Sequence, residues 1–102
     1  MPLNVESLSN HARTVLLARL ASALTICARD TYEVGTDRVM QPELLRAYNE
    51  LMHRVTGATL DHLLERGGYS LNDILEMVRA FGEKNGRTGE MRWALEQACK
   101  SI

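Results

Sequence analysis

The stretch VLLARLASALTICA, residues 15–28, decides how this chain is read. Only Arg19, Ser22 and Thr25 are polar in it, and at 100° per residue they leave no wide polar face on a helix. A helix of this kind expects cover on several sides. It is too short, and too interrupted by Arg19, to cross a bilayer, which needs about 20 predominantly apolar residues. A central core helix or an oligomer surface follows, with Leu17, Leu20 and Leu24 as the side chains expected to meet a second copy.

Outward from this segment, Asn4 or Ser7 is the expected N-cap and Arg29 the expected end of the first helix. Residues 30–41 read as a connection because they place Gly35 and Asp37 between helical patterns and stop before Pro42, a favoured first helical residue. A second helix is expected from Pro42 to Arg66. Its apolar stripe is Leu44, Tyr48, Leu51, Met52, Val55, Thr59 and Leu63, with Arg46, Glu50, His53 and Gly57 opposite. His62 falls on the stripe and is expected at the core edge, and Gly57 marks a weak point in the helix. Gly67 and Gly68 stop it.

Ser70 and Asp73 resemble a capping pair for a third helix whose stripe is Leu71, Ile74, Leu75, Val78 and Phe81, ended by Asn85 and Gly86. A fourth helix from about Thr88 carries Met91, Ala94, Leu95, Ala98 and Ile102. The fold class expected is all-α: a small antiparallel bundle of about four helices, two long and two short, forming one domain over residues 1–102 and pairing as a dimer.

Composition narrows the function. The 102 residues hold 12 Lys plus Arg against 13 Asp plus Glu, a net charge of −1, so nothing overall draws the chain to nucleic acid or anionic lipid. The segment after Gly68 carries Asp73, Glu76 and Glu83 where a DNA-reading helix favours basic groups, and Arg87 and Arg92 beside Trp93 are diluted by Glu90 and Glu96. Neither a nucleic-acid nor a membrane partner is expected. Cys27 and Cys99 form no CxxC pattern and read as free thiols. Residues 1–10 show no basic start or apolar run of a secretory signal, so a cytoplasmic setting is expected.

Two constellations bear on chemistry. Glu50 and His53 form an ExxH pair with the helical spacing of di-iron bundle ligands, although a full site needs a second pair and two further carboxylates. Arg29, Asp30, Tyr32, Glu33 and Arg38 concentrate polar groups in the first connection, where a small ligand would find acids, bases and anion-holding cations. That connection also has Gly35 in the sixth place of an EF-hand-like loop, but Tyr32, Val34 and Gln41 stand where oxygen ligands are needed. No nucleophile, base and orienting partner can be assembled from spacing alone, so the reading leans away from an enzyme and expects no cofactor. The function expected is a non-enzymatic interaction or regulatory module whose partner is a second copy or another helical protein. The alternative is a ligand- or metal-dependent site built from the 30–38 segment with Glu50 and His53.

Overall fold

A computed structural model describes residues 7–33, 42–64 and 70–100, with the side chains of 30–33 and 42 outside that description. Every regular element in it is helical: α1 (Asn10–Glu33), α2 (Pro42–Leu63), α3 (Leu71–Asn85) and α4 (Thr88–Cys99). Each helix packs on its neighbour in sequence or, for α1 and α4, closes the ring. The main contacts are α1 with α2 and α4, and α3 with α4, while the α2–α3 seam is thinner. Arg19 lies beside the last turn of α4 and Cys27 beside its first.

α1 starts later than its first cap candidates suggest because Ser9 does the capping. Its hydroxyl accepts the Ala12 N–H at 3.2 Å, and its carbonyl accepts the Arg13 N–H at 2.9 Å. α1 also runs four residues beyond Arg29, through Asp30 to Glu33. Those residues were expected in a connection, but four consecutive non-glycine, non-proline residues offer nothing that stops a helix already under way.

Two facing helices explain the burial of α1. Leu16, Leu17, Leu20, Ala23, Leu24 and Cys27 occupy an arc of about 120° and are all buried, the four leucines completely. The surface between copies expected on Leu17, Leu20 and Leu24 is therefore corrected: α1's neighbours in the same chain cover all three. The opposite arc carries Ala18, Arg19, Ser22, Thr25, Ile26 and Arg29, all exposed. Of these only Ile26 is a large hydrophobe, and an exposed alanine costs little. One small ring of helices thus hides a helix that looks apolar on every side.

The rest of the core is Tyr48, Leu51, Val55 and Ala58 from α2, Leu71, Ile74, Val78 and Phe81 from α3, and Met91, Ala94 and Ala98 from α4. Tyr48 and Phe81 meet across the thin α2–α3 seam with ring centroids 4.8 Å apart and planes tilted by 57°, an arrangement that adds to simple burial. Three helical threonines turn their hydroxyls back onto the carbonyl four residues earlier, Thr14 to Asn10, Thr25 to Ala21 and Thr59 to Val55, and so satisfy themselves without breaking the helix.

Capping at both ends brackets α3 and sets its turn into α4. Ser70 caps the start of α3 by accepting the Asp73 N–H. Gly86 ends it with φ at 68°, a left-handed conformation that glycine adopts without strain. The Gly86 and Arg87 N–H groups both return to the Gly82 carbonyl, the second at 2.7 Å, which closes a Schellman-type cap. The same Gly82 lets α4 approach: a Cβ built there would lie 2.9 Å from Met91 Cβ and Cγ and 3.1 Å from the Arg87 carbonyl oxygen.

Gly57 differs. The helix runs through it without a break, and a Cβ there would meet nothing within 4 Å. Gly57→Ala should therefore stabilise the chain by up to about 1 kcal/mol by removing backbone freedom from the unfolded state. Gly82→Ala should destabilise it by about 1–3 kcal/mol through overpacking against Met91. Urea unfolding of both variants checks the opposite signs, and the pair would contradict this packing if both moved the midpoint the same way.

Candidate interaction surfaces

Among the described residues, three of the six large hydrophobes left in solvent, Leu45, Leu60 and Leu63, lie on α2, and a fourth, Leu64, directly follows it. Leu60, Leu63 and Leu64 are 51%, 58% and 56% exposed and sit at i, i+3 and i+4, so they form one patch. Leu63 was expected to be covered as the end of the α2 stripe. It is exposed because the cover stops: His62, one residue earlier, is half-buried with Nε2 3.2 Å from the carbonyl oxygen of Asn10, the first residue of α1. Beyond that contact α1 offers α2 no further helix to pack on. Leu60 and Leu64 point away from the stripe altogether, about 160° and 200° around the wheel from Leu44.

A second surface lies between α1 and α4. Ala18, Ser22 and Ala23 floor a groove of about 490 Å³ with Ile26 and Trp93 beside it, and Arg19, Gln97 and Lys100 complete the lining. Arg19 Nη1 donates to the Lys100 carbonyl, placing a guanidinium on the end of α4, where the exposed carbonyls favour positive charge. Trp93 is 39% exposed and is the chain's single tryptophan. The expected helix pattern named neither surface, because grooves depend on which small residues face each other across two helices.

The most connected polar group is internal. The Tyr48 hydroxyl, on a ring 1% exposed, donates to Glu90 Oε2 at 3.0 Å. Glu90 Oε1 lies 3.8 Å from Arg87 Nε, an ion pair too long for a hydrogen bond. The Cys27 thiol points at the Glu90 carbonyl, 3.7 Å away. This ties α1, α2 and α4 together near the start of α4. It is not open chemistry, because the hydroxyl is enclosed and committed to the carboxylate. Neither Cys27 nor Cys99 is in a disulfide, and burial pushes the Cys99 thiol above its ordinary value, which lowers its reactivity.

Arg29, Asp30, Tyr32 and Glu33 ride on α1 rather than on a loop; of their side chains only that of Arg29 is described, and Arg38 lies outside the described residues. Glu50 and His53 lie on the exposed side of α2. Glu50 pairs with Arg54 at 3.3 Å, on the rim of a cleft of about 330 Å³ between α2 and α3. Among the described residues no three His, Cys, Asp or Glu side chains come together as a metal site. Among the same residues no helix is long and apolar enough to cross a membrane. No family model matches the chain, and neither a curated protein nor a solved structure matches it.

Tyr48→Phe removes only the hydroxyl and keeps the contact with Phe81. It should cost about 1 kcal/mol, since Glu90 is partly exposed and water can replace the lost donor. Chemical denaturation would show a lower midpoint with an unchanged slope, and an unchanged midpoint would mean that the Tyr48–Glu90 bond contributes nothing to stability.

Proposed function

We propose that this chain is a non-enzymatic helical interaction module, an antiparallel bundle that pairs as a homodimer through the last turn of α2. The observation that carries the proposal is the exposed patch of Leu60, Leu63 and Leu64. In the alternative reading, Glu50 is already held by Arg54 and no metal-binding cluster forms among the described residues, so neither supplies support for a metal-dependent role.

Twofold symmetry would bring the same patch together from both protomers, six leucines in all. Each is already about half covered, so the apolar surface left to bury is small and the pairing expected is weak and reversible, with a dissociation constant in the micromolar to millimolar range.

Sedimentation equilibrium should show a mass that rises with concentration from 11.5 kDa toward twice that value. Leu60→Glu with Leu64→Glu should hold the chain at the monomer mass with its helical circular dichroism intact. A native chain that stays monomeric to about 1 mM would sink the proposal.

A further inference from the structure

We propose that the groove between α1 and α4 docks the apolar face of an acidic amphipathic helix, independently of the leucine patch on α2. Three observations converge on that occupant.

The first is length. The groove follows α1 from Ala18 to Ile26, eight residues or about 12 Å of helix rise, which matches the reach of side chains at i, i+3 or i+4, and i+7 on a docking helix. The second is shape and chemistry. Ala18 and Ser22 are small and exposed, so the floor is shallow enough to admit side chains, while Ile26 and Trp93 supply apolar walls. A partly exposed tryptophan beside a cavity is the residue type that most often carries interface energy.

The third is charge. Among the described residues, the charged ones lining the groove are Arg19 and Lys100, both positive. Arg19 is held in place by its bond to the Lys100 carbonyl, and a guanidinium has five N–H donors, so capacity remains for a carboxylate. Glu96 does not line the groove, although it stands one helical turn from both Trp93 and Lys100 on α4. A partner helix with Asp or Glu beside its apolar stripe complements this rim, and one with Lys or Arg there meets like charge, which discriminates against the wrong partner.

The single tryptophan makes the test direct, since all indole emission comes from the groove wall. Two synthetic amphipathic peptides with identical leucine stripes, one with Glu and one with Lys on the polar face, are titrated into the full chain while Trp93 emission is followed. The Glu peptide should give a saturable blue shift that weakens with added salt, and the Lys peptide should bind at least about tenfold more weakly. Ser22→Glu, at an exposed position that leaves the core untouched, should fill the floor, set a carboxylate against those of the Glu peptide and abolish the shift. The proposal is overturned if neither peptide shifts the emission, if both bind equally, or if Ser22→Glu binds the Glu peptide like the native chain. A blue shift on concentrating the chain without peptide also overturns it, because the occupant would then be a second copy. Leu60→Glu with Leu64→Glu should leave the titration unchanged, which separates this site from self-association.

Discussion

The contact of α1 with two helices at once holds this molecule together. Four leucines on one arc of α1 are sealed completely, and α2 and α4 flank α1 on either side. α3 completes the ring through α4 far more than through α2. With the α2–α3 seam thin, α1 is the element that joins α2 to the rest, and the Tyr48–Glu90 bond reinforces the junction from inside. Burial supplies the driving force, while the hydrogen bond fixes how the helices are set against each other.

Surface charges do little of this work. Arg79 holds Glu76 and Glu83 on the outer face of α3 and draws the Glu76 carboxyl below its ordinary value, yet all three side chains are more than half exposed. Solvent and salt screen such pairs. Arg19 is exposed as well, but it reaches from α1 to the end of α4 and so lies on the same closure that the leucines drive.

The helices were legible wherever a sequence pattern had a local cause. Ser70, Asn85 and Gly86 bracket α3 as capping chemistry predicts, and the stripes of α3 and α4 face inward as their spacing requires, except that Ile102 lies outside the described residues. The end of α1 was misread because polar residues 30–33 resemble a loop in composition while containing no helix breaker. The more instructive error concerns the sides of α1. Hydrophobicity alone treats Ala18 and Leu17 alike, although exposing one costs little and exposing the other costs a great deal. Leu60 and Leu64 carried a visible signal, two leucines on the polar side of the wheel. The groove carried none, since Ala18 and Trp93 become neighbours only after α1 and α4 pack.

The closeness of Gly82 to Met91 bears on the order in which the chain assembles. That contact spans nine residues, whereas the Arg19–Lys100 contact spans 81. Closing the longer loop costs about 2 kcal/mol more chain entropy on the simple logarithmic scaling. The α3–α4 hairpin, with its glycine cap already bent to the required angle, is thus the inexpensive nucleus, and α1 is recruited to a surface that α4 has begun to present. The arc of α1 that faces α4 is then closed only by this longer contact, so the interval before it docks is when the nascent chain is most exposed to aggregation.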